Sequence, residues 1–170
     1  MTPVDGPESQ RLGTVAPTVL VVDDEANIRR TLGMVLSGAG YRVVEAGSAE
    51  QALTTLKSPE QPVDLVILDI KLPKQSGLDA LRQLRGEPEM KDLPVIVISG
   101  HATVDDAVTA IRLGATDFFE KPLNRERILV SVQNCIRTAR LGRTVEQMQA
   151  EVERRYQMLG SSEAMQRLFK

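Results

Sequence analysis

The sequence predicts an α/β fold, a doubly wound parallel sheet of five strands with helices on both faces. Three observations predict it. Five short runs rich in Val, Ile and Leu recur along the chain, and between them the apolar residues repeat at helical spacing. The central run, VDLVILD at 63–69, shows no polar break at every second residue, so it reads as a strand covered on both sides. Strand and helix patterns that alternate in this way bury their apolar faces by placing helices on both faces of a parallel sheet.

Each element has its own justification. Residues 18–22 are a β-branched and leucine run feeding the acidic turn Asp23-Asp24-Glu25. A helix follows from Glu25, with Ile28, Leu32, Val35 and Leu36 on one face and Gly38-Ala39-Gly40 as its stop. Residues 41–45 form the second strand, and Ser48 with Gln51 three residues on resembles a capping box that opens a helix through Ala49, Ala52, Leu53 and Leu56. After the strand 63–69, Pro73 and Gly77 mark tight turning before the helix 78–85. PVIVIS at 94–99 is the fourth strand. The helix 104–113 carries Asp105 and Asp106 in its first turn, where carboxylates favour the helix dipole, and Gly114 at its end. Residues 116–119 are the fifth strand, and the last helix opens at Asn124.

That last helix continues beyond what one compact domain needs. Ile128, Val132, Cys135 and Ala139 hold one stripe; after a phase step near Gly142, Leu141, Val145, Met148, Val152 and Leu159 form a second, with Arg155 at the gap. Charged neighbours such as Glu146, Glu151, Glu153 and Arg154 flank it. A second stripe with no core of its own is expected to pair with another copy of the chain, a homodimer through the last helix and its extension; a solvated single helix is the plainer alternative. The organisation expected is a flexible tail at 1–16, a compact domain at 17–137, a linker helix at 138–159 and the start of a further module at 160–170.

Composition narrows the partners. A chain of 170 residues, 42% hydrophobic and 26% charged, fits one ordinary domain with appendages. A formal charge of −2 lacks the basic footprint of a nucleic-acid binder, so no direct nucleic-acid contact is expected from this segment. The single cysteine, Cys135, excludes an internal disulfide and fits a reducing compartment, which makes a cytoplasmic location the expectation. No apolar run approaches a membrane span, and the opening MTPVDGPESQRLGTVAP lacks a basic segment followed by an apolar one, so neither insertion nor secretion is indicated.

The chemistry gathers at strand ends. Asp23 and Asp24 follow the first strand, Asp69 ends the third, Ser99 the fourth, and Lys121 follows the fifth. In an open α/β sheet these ends converge on one edge, so a pocket of three carboxylates, a hydroxyl and an ammonium is expected. Singly, each residue has an ordinary role: acids before a helix cap it, Ser99 could cap the next helix, and Lys-Pro makes a turn. Together they fit phosphoryl transfer to a carboxylate. Neighbouring carboxylates repel unless a cation neutralises them, and hard oxygen ligands suit Mg2+. Asp69 would be the nucleophile, with the metal and lysine screening the transferred group and the hydroxyl contacting it.

The set Asp23-Asp24, Asp69 in LDIKLPKQSG, Ser99 in VISGHA and Lys121-Pro122 in DFFEKPL resembles the receiver domain of two-component response regulators. The resemblance implies a flavodoxin-like sheet of order 2-1-3-4-5 and a phosphoryl group passed to Asp69 from a phosphohistidine on a sensor histidine kinase. It implies Mg2+ held by Asp24, Asp69 and the main-chain carbonyl of Lys71, with Asp23 acting through water. Ser99 and Lys121 would contact the phosphoryl oxygens, and the Lys121-Pro122 bond would be cis, an isomer met almost only before proline. Ser99 drawn toward the phosphoryl group would open space that Phe118 turns inward to fill, so that the helix 104–113, the fifth strand and the last helix become the output face. Lys71 and His101 fall where side chains in this family control water access to the phosphoryl group. Receiver, long helix and LGSSEAMQRLF together look like NtrC/NtrX-type regulators, in which such a segment opens a σ54-activating AAA+ ATPase. The sequence contains no GxxxxGK[ST] loop, so a receiver-plus-linker fragment is the expectation.

Three rival readings share parts of this pattern. A haloacid-dehalogenase-like phosphatase also uses an aspartyl nucleophile and Mg2+, but wants a second acid where Lys71 stands. A flavodoxin-like nucleotide or flavin binder would need a phosphate loop where Asp23-Asp24-Glu25 repels phosphate. A degenerate receiver would serve only for dimerisation.

Overall fold

The computed structural model describes residues 15–101 and 103–161. The expected tail, up to residue 14, and the expected start of a further module, from residue 162, lie outside the described residues. So does the Leu159 side chain of the second stripe. Ten elements alternate: β1 (Thr18–Val22), α1 (Ala26–Gly38), β2 (Arg42–Ala46), α2 (Ala49–Lys57), β3 (Leu65–Asp69), α3 (Gly77–Gly86), β4 (Val95–Ser99), α4 (Val104–Arg112), β5 (Asp117–Glu120) and α5 (Arg125–Ser161). The five strands are all parallel, in the order β2-β1-β3-β4-β5. The first strand starts where its apolar run places it, and the other four start one or two residues later.

Alternate residues of the central strands enter two separate cores. Leu20, Val22, Val66, Leu68, Val95 and Val97 pack with Ala52, Leu81, Leu84 and Ala110 of α2, α3 and α4. Val19, Val21, Leu65, Ile67, Ile96 and Ile98 pack with Leu32 and Leu36 of α1 and Ile128 and Val132 of α5. Two covered faces explain why the strands carry no polar alternation. Each fully buried aliphatic side chain contributes about 1.5–3 kcal/mol of transfer free energy, enough to hold loops that carry little apolar surface. Phe118 and Phe119 of β5 divide between the two cores, both half-buried.

Capping follows the sequence with two differences. Ser48 accepts from Gln51 N, but the Gln51 side chain accepts from Gly47 N at 2.8 Å rather than completing a box on Ser48. The complete capping box belongs to Thr103 and Asp106 at α4, which leaves Ser99 free of any capping role. Asn124 Oδ1 accepts from Arg127 N at the start of α5. Cys135 is buried, with Sγ 3.9 Å from Ser131 Oγ, which in turn donates to Asp117 at 2.6 Å. Burial, opposed by Ser131 and aided by Asp117, raises its thiol pKa, so Cys135 is a packing residue, as the sequence suggests.

The chain divides into two compact units, Met1–Ile136 and Arg137–Lys170. In the second, the helix continues through Gly142 without a break, and Leu141, Val145, Met148 and Val152 are all exposed. Arg155 interrupts that stripe and pairs with Glu151 at 3.0 Å. Among the described residues, no helix is long and apolar enough to cross a membrane.

Gly114 ends the α4 segment with φ +100, and Arg85 of α3 donates from Nε and Nη2 to its carbonyl at 3.2 and 2.8 Å. A Cβ there would lie 2.8 Å from Arg85 Nε. Gly114→Ala therefore forces a left-handed conformation on an L-residue and displaces the arginine. We expect a loss of about 1–3 kcal/mol, read from the urea midpoint.

Candidate functional site

Register brings the strand ends to one level. Val22 pairs with Leu68, Asp69 with Ile98, and Ser99 with Glu120. Asp23 thus leaves the sheet beside Asp69, while Ser99 stands one residue further along and Lys121 two. Lys121 N donates to Ser99 O at 2.8 Å, which ties the β5 end to the β4 end. The Lys121-Pro122 bond is cis.

The Lys121 ammonium lies between two buried carboxylates, 2.8 Å from Asp23 Oδ2 and 3.2 Å from Asp69 Oδ2. Asp23 is fully buried and Asp69 nearly so. Burial, then repulsion from Asp23, pushes the Asp69 carboxyl above the usual carboxylate range against the pull of Lys121 and the Lys71 N–H. For Lys121, burial works to lower the pKa, but the two carboxylates outweigh it and raise it. The lysine is thus a fixed cation, and Asp69 a carboxylate whose charge is costly to hold.

Asp24 is exposed at the rim, and one oxygen of each of Asp23, Asp24 and Asp69 lies within 4.8 Å of the others. Asp23 Oδ2 approaches Lys121 as an ion pair but has no directed hydrogen bond. Three hard oxygen donors, one of them buried and short of a partner, fit Mg2+. With every group ionised, three carboxylates against one ammonium leave two negative charges for a divalent ion to neutralise.

The structure brings Asp23, Asp24, Asp69 and Lys121 together, with buried Ser99 joined through the Lys121 main chain. Lys71 and His101 have exposed side chains; Lys71 meets the site through its N–H, 3.4 Å from Asp69 Oδ1. Phe118 packs in the α2, α3 and α4 core. Two residues escape a reading of strand ends alone. Gly77 N donates to Ile70 O at 2.7 Å, and a Cβ on Gly77 would fall 2.0 Å from the Asp69 carbonyl oxygen, so the loop closes on Asp69 only because that position is glycine. Its place after a Pro-containing loop marked a turn, not this close approach. Arg29 Nη1 donates to Asp23 O at 2.6 Å, a bond that a lone arginine on a helix does not announce.

This order of strands around an acidic centre is that of a receiver-type α/β domain. The same fold is found in a CheY-like receiver domain of Methanospirillum hungatei, at TM-score 0.69 and 24% identity, over 75% of this chain and 98% of that one. The response regulator receiver domain family matches residues 19–133, and the chain belongs to that family. It is 37% identical over 158 residues to the nitrogen assimilation regulatory protein NtrX of Azorhizobium caulinodans, covering 91% of this chain and 33% of NtrX. It also aligns with the crystal structure of NtrX from Brucella abortus in complex with ADP, at TM-score 0.72 and 36% identity, over 78% of this chain and 30% of that one. The chain spans about a third of the length of these relatives. The phosphatase and flavin-binder alternatives lose their support with this assignment.

The raised Asp69 pKa sets a sign. The folded state holds the Asp69 proton more tightly than the unfolded chain, so metal-free stability falls as pH climbs from the ordinary carboxylate range through the raised value. Asp69→Asn removes that fall. At neutral pH without metal it should melt higher than wild type, by about 2–4 °C for each kcal/mol relieved, and Mg2+ should then stabilise it less than wild type. A thermal melt with and without Mg2+ checks both.

Proposed function

We propose that this chain is the phosphoacceptor receiver of a two-component transcriptional regulator, with Asp69 as the acceptor. The observation that carries the reading is the buried Asp69 beside Asp23 and Asp24, with Lys121 3.2 Å away, at the carboxyl edge of a parallel sheet. An Asp69 carboxylate oxygen attacks phosphorus in a kinase phosphohistidine; the O–P bond forms as the P–N bond breaks, and the departing imidazole takes up a proton. Asp24, Asp69 and the Lys71 carbonyl would hold Mg2+, with Asp23 acting through water, and the ion would offset negative charge on the transferred oxygens. Lys121 stays protonated throughout, because both carboxylates raise its pKa, and it binds one of those oxygens.

Ser99 donates to another oxygen, and its movement lets Phe118 turn further into the core. Phosphorylation adds about −1.5 to −2 charge at Asp69, and this new acceptor draws the β4 end and α4. Exposed Val104, Val108 and Ile111 on α4 belong to the proposed output face. In unit two the Leu141, Val145, Met148 and Val152 stripe pairs with a second copy as linker coiled coil, leading in the full-length regulator to a σ54-activating ATPase. The protein self-phosphorylates and self-dephosphorylates slowly and is otherwise no enzyme; its upstream partner is a sensor histidine kinase.

Acetyl phosphate with Mg2+ should add one phosphoryl group to the wild type and none to Asp69→Asn, read by intact mass. Turnover without adduct would instead point to a phosphatase, and no reaction to a receiver kept only for dimerisation. Sedimentation with and without beryllofluoride should show a change in self-association, and an unchanged profile rejects the coupling of site to seam. Lys71→Ala should alter the phosphoform's lifetime severalfold, followed by loss of the adduct mass with time.

A further inference from the structure

Arg29 lies one turn into α1, yet its guanidinium is seated against three other parts of the fold. Nη1 donates to the Asp23 carbonyl at 2.6 Å, Nε stands 3.7 Å from Glu45 on β2, and an added Cβ on Gly47 would lie 3.5 Å from Nη1. Three of the four polar groups of Asp23 are then hydrogen-bonded, and the fourth, Oδ2, has only its ion pair. Its N–H donates to Ala46 O at 3.1 Å, Oδ1 accepts from Glu25 N at 2.9 Å, Oδ2 meets Lys121, and the carbonyl takes the Arg29 bond. The peptide that Arg29 grips joins Asp23 to Asp24. Glu25, the N-cap of α1, makes no side-chain cap bond, so the turn lacks that usual brace.

We propose that Arg29 is a positioning residue for the divalent cation: by holding the peptide between Asp23 and Asp24, it fixes the directions of two of the three carboxylates. This rests on the reading of the site as a Mg2+-dependent phosphoacceptor. The Glu45 pair, on a half-exposed carboxylate, is the weaker anchor; the charge-assisted bond to a carbonyl of a buried residue is the stronger. The sign of the effect separates bracing from charge. A nearby guanidinium repels a cation, so removing its charge alone would tighten metal binding; removing a brace weakens it. The ion matters too, because Mg2+ demands near-octahedral ligands whereas Ca2+ tolerates irregular ones, so a loosened turn loses Mg2+ more than Ca2+.

The test is calorimetric titration of Mg2+ and of Ca2+ into the full chain, with folding followed by circular dichroism. Arg29→Gln should weaken Mg2+ binding about tenfold and Ca2+ binding less. Arg30→Gln, which removes the same charge from an exposed neighbour, should leave Mg2+ binding equal to or slightly tighter than wild type. Folded Arg29→Gln that binds Mg2+ as tightly as wild type or tighter, or that loses both ions equally, overturns the proposal. Should Arg29→Gln not fold, Arg29→Lys decides, since it keeps the charge but not the fork that spans Glu45 and the Asp23 carbonyl. Weakened Mg2+ binding there supports the brace and wild-type binding overturns it. A wild-type chain that binds neither ion would sink the phosphoacceptor reading itself, which is a separable outcome.

Discussion

One ammonium between two buried carboxylates governs this molecule. Lys121 comes from the far edge of the sheet, beyond β5, and reaches Asp23 and Asp69 after β1 and at the end of β3. An isolated buried carboxylate would take up a proton rather than stay charged. The lysine holds back that tendency without cancelling it, since Asp69 remains raised despite the contact. A buried ion pair of this kind is weak evidence for stability, because desolvation offsets attraction. Its value lies in leaving, once Asp24 is counted, two negative charges uncompensated at a place open on the Asp24 side.

The sheet makes that place possible. Parallel strands deliver all their carboxyl ends to one edge, and a one-residue slip in any ladder would turn its terminal polar group into the opposite core. The two cores forbid such slips, since neighbouring side chains on a strand are packed by different helices. The same packing that stabilises the domain therefore fixes the level of Asp23, Asp69 and Ser99 relative to one another. Close approach does the rest: the loop after β3 folds against the Asp69 carbonyl at Gly77, and Arg29 ties down the turn after β1.

The long helix follows a different logic. Up to Ile136 it buries Ile128, Val132, Cys135 and Ile136 in the domain, and beyond that point its apolar stripe is exposed. A helix in that condition gains nothing from tertiary burial within its own unit, so its stripe is available to a partner. Arg155, paired with Glu151 on the same helix, interrupts the apolar seam with a charge that needs no second chain.

Much of this was written in the residues. Uninterrupted apolar runs specify strands buried on both faces, because a half-exposed strand would alternate, and their order with helices specifies a parallel sheet. Asp23, Asp24, Asp69, Ser99 and Lys121 are legible because a polar group ending an apolar strand has only the sheet edge to occupy. Contacts between elements distant in sequence were not legible, since local periodicity carries no information about them. The guanidinium of Arg29 on the Asp23 carbonyl, the Gly77 contact with Asp69, the Arg85 bonds to Gly114 and the partial burial of Phe118 and Phe119 in opposite cores became visible only when helices settled on both faces. Sequence determined which groups would meet; the tertiary structure decided how tightly each is held, because distance, burial and charge balance belong to the packed whole.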